Sequence, residues 1–277
     1  MDSVRPLYLE LLKKTLTDLH RADITEYKPA TGRKLSLFIN PWLRLFGRME
    51  KRKLAVCEVT DFTIQDRMNG KDWPSHAETM IGYKRLSNVQ DCVTDVINNN
   101  IEGDLVETGV WRGGTVIFMK AILRSFNITD RVVWVADSFE GLPKPNSEKY
   151  EADKDDEFYK ADRLRISLEK VKQNFEKYGL LDENVKFLKG WFKDTLPVAP
   201  IHKLAILRLD GDMYESTMDG LVNLYPKLSK GGYIIIDDWG SVEGCRLAVQ
   251  DYRKKSGITE KIIPIDEDGV FWKKDRD

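Results

Sequence analysis

Cysteine is scarce in this chain. The three that occur, Cys57, Cys92 and Cys245, are odd in number and far apart. That excludes a paired disulfide framework and a zinc-type spacing, and it fits a reducing compartment. Excess charge of either sign is also missing. Lys and Arg number 44 against 45 Asp and Glu, a formal net charge of −1, which argues against nucleic acid as a general partner. No apolar run reaches the roughly 20 residues of a membrane span. The opening residues Met1-Asp2-Ser3-Val4-Arg5-Pro6 carry no signal-peptide pattern, so a cytoplasmic protein is expected. There is no internal repeat and no low-complexity tract. What is present is a chain of 277 residues, 42% hydrophobic and 32% charged, which reads as a soluble globular protein with room for a large core.

The most informative stretch is 204–239. It opens with Leu204-Ala205-Ile206-Leu207-Arg208-Leu209 and then Asp210-Gly211-Asp212. After a helical segment it closes with Tyr233-Ile234-Ile235-Ile236-Asp237-Asp238-Trp239. Two short apolar runs suit buried parallel strands, and the helix between them makes a strand-helix-strand unit. Both acidic pairs then emerge at the carboxyl edge of the sheet, where ligands bind in open α/β folds. Four carboxylates at one edge repel one another, so protonation, a basic partner or a cation must offset them. Oxygen ligands suit Mg²⁺ or Ca²⁺ better than zinc. The bland alternative is that these Asp residues only cap the helices that follow.

Around this stretch the pattern is an α/β one. Leu7, Leu11, Leu12, Leu16 and Leu19 predict an amphipathic helix over 6–19, and Leu86, Val89, Cys92, Val93 and Val96 another over 85–98. The apolar, basic-flanked stretch 35–46 reads as a packed segment or subunit contact, with a membrane-surface helix as the alternative. Residues 104–107, 131–136 and 185–188 predict three more strands. Helices are expected over 115–124, 162–178 and 243–256, and closing strands over 261–265 and 270–273. The polar stretch 143–156 reads as a surface loop or lid. The sum is a doubly wound, mostly parallel seven-stranded sheet with an N-terminal helical extension. Residues 1–100 form the helical, lid and oligomerisation region, and 101–277 the core.

Three turns at the same sheet edge carry candidate ligand groups. The turn Glu107-Thr108-Gly109-Val110-Trp111-Arg112-Gly113-Gly114 follows the first core strand. It lacks the dinucleotide spacing, and Glu107 suits a positively charged cofactor such as S-adenosylmethionine better than a pyrophosphate. Asp137, in Asp137-Ser138-Phe139-Glu140-Gly141-Leu142-Pro143, stands where an acid commonly accepts ribose hydroxyls, or simply caps a turn. Gly190-Trp191-Phe192 follows the third core strand, and an aromatic there either stacks on adenine or fills the core. His76, in the loop 72–82, reads as a base or as a structural hydrogen-bonder.

Together these motifs resemble the macrocin-type sugar O-methyltransferases of antibiotic biosynthesis. The matching segments are 107–114, 137–143, Leu209-Asp210-Gly211-Asp212-Met213-Tyr214-Glu215-Ser216-Thr217, Ile236-Asp237-Asp238-Trp239, and Asp72-Trp73-Pro74 followed by Thr79-Met80-Ile81-Gly82. The resemblance implies a class I, Rossmann-like methyltransferase fold, S-adenosylmethionine as donor, and Mg²⁺ that binds a glycoside acceptor. It implies Asp210, Asp237 and Asp238 as metal ligands and Asp212 as general base. Asp137, with Ser138 beside it, would hold the ribose. Glu107 and Gly109 would line the methionine end, and Thr108 and Asp210 would also bind the cofactor. Gly190, Trp191 and Phe192 would lie along the adenosine, and Met80 and Ile81 would close over the cofactor. Where the family often has His two residues before Thr-Met, this chain has Ala77, flanked by His76 and Glu78. A catechol-type or other small-molecule O-methyltransferase and a non-catalytic nucleotide-binding module are the alternatives. The N-terminal apolar material, 7–19 and 35–46, predicts a homo-oligomer.

Overall fold

Alternation along each core strand decides which residues face which helical layer. On the strand Asp104–Thr108 (β3), Leu105 packs into one apolar cluster and Val106 into another. On Val133–Asp137 (β4), Val133 and Val135 face the first cluster while Trp134 and Ala136 face the second. The strand Leu204–Leu209 (β6) divides Ile206 from Leu207 and Leu209 in the same way, and Leu228–Ile236 (β7) divides Ile235 from Ile234 and Ile236. A two-residue period with both faces apolar is the signature of a sheet buried between two layers.

The computed structural model describes residues 4–21, 26–29, 41, 42, 45, 47, 57–60, 63–72 and 74–276. A two-stranded antiparallel sheet pairs Glu26–Pro29 (β1) with Cys57–Thr60 (β2). The main sheet has seven strands in the order β5-β4-β3-β6-β7-β9-β8, with β5 at Val185–Lys189, β8 at Ile263–Pro264 and β9 at Val270–Lys273. Neighbours from β5 to β7 are parallel, and β9 runs antiparallel to both β7 and β8. The helices Val4–Leu16 (α1), Gly82–Asn98 (α3), Gly114–Ser125 (α4) and Leu168–Lys177 (α5) supply one layer. Tyr214–Leu224 (α7) and Glu243–Ser256 (α8) supply the other. Short helices lie at Ile64–Asn69 (α2) and Phe192–Thr195 (α6). The expected doubly wound, mostly parallel sheet is what the chain forms.

Three local readings need correction. The helix expected over 162–178 begins only at Leu168, because Ser167 caps it by accepting the Lys170 N–H at 3.2 Å. Residues before it form isolated turns, which frees Leu164 from the helix face. In α1 the buried face is Leu9, Leu12 and Leu16, while Leu7 and Leu11 are exposed. The helix α2 was not foreseen; Thr63 and Asp66 cap it reciprocally. The stretch 35–46 lies largely outside the described residues. No helix among the described residues is long and apolar enough to cross a membrane. Cys92 and Cys245 are buried free thiols.

Candidate active site

Strand order reverses between β3 and β6, and the crevice outside their carboxyl ends is the topological switch point. A cleft of about 300 Å³ opens there. Its walls include Met80, Gly109, Asp137, Ser138, Gly190, Trp191, Phe192 and Asp210, all of which the sequence nominates for the cofactor, and the nominated base Asp212. Ile81, Glu107 and Thr108 are buried and lie behind that surface instead. Phe192 lines the cleft and packs against the core below it. His76 is exposed, and Glu78 is engaged elsewhere: its Oε2 accepts the Tyr178 hydroxyl at 3.0 Å and its carbonyl accepts the Gly114 N–H at 2.9 Å. Neither lines the cleft.

Close backbone approach explains the glycine turn. Gly109 has φ +78°, and a Cβ there would fall 1.5 Å from the Asp210 carbonyl oxygen. Only glycine lets the β3 and β6 turns come together this way. Asp137 is fixed by its neighbours, its Oδ2 accepting the Val110 N–H at 2.8 Å and its Oδ1 the Phe139 N–H at 2.6 Å. Burial raises its pKa against the pull of those amides. Its Oδ1 also meets the Ser138 hydroxyl at 3.4 Å.

The floor of the site is an ion network centred on Arg208, which is fully buried on β6. Its Nη1 bonds Glu107 Oε1 and reaches Asp210 Oδ2 at 2.8 Å, and its Nη2 bonds Asp237 Oδ1. The other oxygen of Asp237 bonds Arg85 Nη1 at 2.6 Å, and Arg85 also holds Asp266 at 2.9 Å and Asp268 at 3.1 Å. Two guanidiniums thus serve five carboxylates. Among the described residues no basic side chain pairs with Asp212 or Asp238. The contact between those two is the Asp212 N–H donated to Asp238 Oδ2 at 3.0 Å. Burial, then the charge of Asp210, raises Asp212 well above the usual carboxylate range; burial, then Asp212, does the same to Asp238. Burial pushes Asp210 up to about 6, with Asp237 adding to the effect and Arg208 opposing it. Glu107 rises to about 8, again chiefly from burial and against Arg208.

The residues fit both groups that the motifs suggest. One oxygen each from Asp210, Asp237 and Asp238 lies within 4.8 Å of the others, a hard-donor set suited to a divalent cation. Asp212 and Asp238, with no basic partner among the described residues, stand where such an ion would favour the ionised carboxylates. Among the described residues, nothing hydrogen-bonds the buried Glu107 Oε2, an acceptor suited to an ammonium group. Sequence reading missed Arg208, Arg85 and the cleft residues Trp111, Lys144, Leu164, Lys193, Glu215 and Asp219. For Arg208 a signal was available, since a cation within an apolar strand must find partners.

Comparison with known proteins identifies the family. The macrocin O-methyltransferase (TylF) family matches residues 5–274. A demethyldecarbamoylnovobiocin O-methyltransferase of Streptomyces niveus is 55% identical over 211 residues, covering 76% of this chain and 80% of that protein. The 8-demethyl-8-(2,3-dimethoxy-alpha-L-rhamnosyl)-tetracenomycin-C 4'-O-methyltransferase of Streptomyces olivaceus is 46% identical over 273 residues, covering 98% and 94%. The solved structure of the O-methyltransferase NovP superposes with a TM-score of 0.83 at 45% identity, covering 98% of this chain and 100% of that one. The cleft, the strand-end carboxylates and these likenesses place the chain in the macrocin O-methyltransferase (TylF) family.

Proposed function

We propose that this O-methyltransferase moves a methyl group from S-adenosylmethionine to a sugar hydroxyl of a glycosylated natural product, with Mg²⁺ held by Asp210, Asp237 and Asp238. The observation that carries the reading is the carboxylate cluster at the switch point, uncompensated on its Asp212–Asp238 side. S-adenosylmethionine supplies an electrophilic methyl group, and Mg²⁺ supplies Lewis-acid polarisation of an acceptor hydroxyl. Gly109 receives the methionine end with the buried Glu107 behind it, Asp137 receives the ribose, and Trp191 and Phe192 lie along the adenosine. Asp212 takes the proton of the acceptor hydroxyl; burial and its acidic neighbours make its carboxylate more basic than an ordinary Asp. The buried floor excludes water and strengthens each of these charge interactions.

The acceptor class is supported by relatives named for antibiotic acceptors, one of them rhamnosylated by its name. The test is a side-by-side assay of demethyldecarbamoylnovobiocin, a rhamnosylated tetracenomycin and a simple catechol, read by mass spectrometry for one added methyl. Methylation of a sugar hydroxyl is the expected result. Methylation of the catechol alone would overturn the acceptor class. Exposed Val4, Leu7 and Leu11 on α1 support a homo-oligomer built through region 1–100, with 101–277 carrying the chemistry. Sedimentation showing only monomer at micromolar protein would remove that part.

A further inference from the structure

Helix α7 begins two residues after Asp212, and its cap residue Met213 offers no side-chain acceptor. Its first amides are satisfied from a distant part of the chain. The Tyr214 N–H donates to Asp153 Oδ1 at 2.7 Å, and the Glu215 N–H donates to Asp153 Oδ2 at 3.0 Å. Asp153 is 2% exposed, so both oxygens of a buried carboxylate close a helix end that the local sequence leaves open. The positive end of the helix favours the charge. The fit is close on a third side: a Cβ on Gly244, at the start of α8, would fall 2.8 Å from Asp153 Oδ1.

The turn held this way is the one that carries the chemistry. Asp212 sits in it with a positive φ of 56°, and Met213 is fully buried. At its other side the turn is tied to β7 through the Asp212 N–H and Asp238. The segment 143–166 that supplies Asp153 is also fastened to the donor half, where Trp111 Nε1 donates to the Arg163 carbonyl at 2.9 Å. Pro143, Lys144 and Leu164 of that segment line the cleft, whereas Asp153 does not.

We propose that Asp153 is a positioning residue for methyl transfer: it fixes turn 210–213 from the same strap that walls the donor cleft. The proposal rests on the reading of Asp212 as base only for which group is positioned. Asp153→Asn keeps the shape but has one acceptor oxygen in place of two, and Asp153→Ala has none. With demethyldecarbamoylnovobiocin as acceptor, kcat should fall at least tenfold in Asp153→Ala and severalfold in Asp153→Asn. Affinity for S-adenosylhomocysteine should stay within threefold, and the unfolding midpoint of Asp153→Asn should stay near the parent's. In an Asp212→Asn background, adding Asp153→Asn should cost little more, because the positioned group is already gone. If Asp212→Asn alone leaves turnover intact, the base reading falls, and kcat of Asp153→Asn still decides the positioning. A folded Asp153→Asn with kcat within twofold of the parent overturns the proposal, as does a loss that only tracks the unfolded fraction. Amide exchange needs no acceptor: with S-adenosylhomocysteine bound, Asp153→Asn should speed exchange at residues 212–215, and unchanged exchange there also overturns it.

Discussion

Removing the Arg208 guanidinium strips the common counter-ion from Glu107, Asp210 and Asp237 at once. Arg208 has no exposed surface, so water cannot replace it without opening the sheet. Deleting one partner of a buried ion pair costs about 3–5 kcal/mol because the other charge is left unpaired. Three carboxylates lose a partner here, but Arg85 still holds Asp237, and Asp210 is a quarter exposed. The cost for Arg208→Met is therefore set at about 3–5 kcal/mol rather than a multiple of it. For a chain of this length that is a drop of roughly 5–10 °C in Tm. The assay is urea unfolding of parent and variant in EDTA, repeated in Mg²⁺. The deficit should shrink in Mg²⁺, since a cation beside Asp210 and Asp237 restores part of the lost compensation. A loss below about 1 kcal/mol would refute the reasoning, because it would mean these carboxylates need no counter-charge.

Two further perturbations follow from the same geometry. Burial raises Asp210 to about 6 and Glu107 to about 8. The folded metal-free protein thus binds more protons than the unfolded chain above the ordinary values of 3.8 and 4.5, so its stability should fall as pH rises from about 5 to about 8. Urea midpoints at stepped pH in EDTA check this, and a midpoint that climbs over that range contradicts it. Gly109→Ala should weaken S-adenosylhomocysteine binding at least tenfold and cost at least about 1–2 kcal/mol from backbone strain alone; calorimetry and unfolding read the two effects, and parental affinity would mean the turn tolerates a side chain.

Legibility from the sequence followed the range of the physics involved. Apolar runs that end in Asp or Glu marked the strands and the sheet edge, because burial on both faces leaves little freedom in composition. The carboxylates of that edge were readable one by one for the same reason. Arg85 and Asp266 were not, since they meet across 181 residues and no local pattern announces the pairing. Asp153 is a similar case: in sequence it is one acid in a polar loop, and only the fold sets it against α7. Leu164 falls inside the helix expected over 162–178, but the Ser167 cap starts the helix after it and releases it to the cleft. Periodicity sees which side chains share a face; it does not see where a cap ends that face.

On the proposed reading the Asp210, Asp237 and Asp238 cluster acts through a divalent cation on the acceptor, while the donor is held without it. The most direct measurement pairs S-adenosylmethionine affinity with methyl transfer to demethyldecarbamoylnovobiocin, first in EDTA and then with Mg²⁺ restored. Donor affinity should be unchanged by EDTA, because Glu107 and Asp137 do not depend on the ion, while transfer should be lost and then recovered with Mg²⁺. Full transfer in EDTA would overturn the metal role and leave Asp210 and Asp237 as structural partners of Arg85 and Arg208, and Asp238 as the acceptor of the Asp212 N–H.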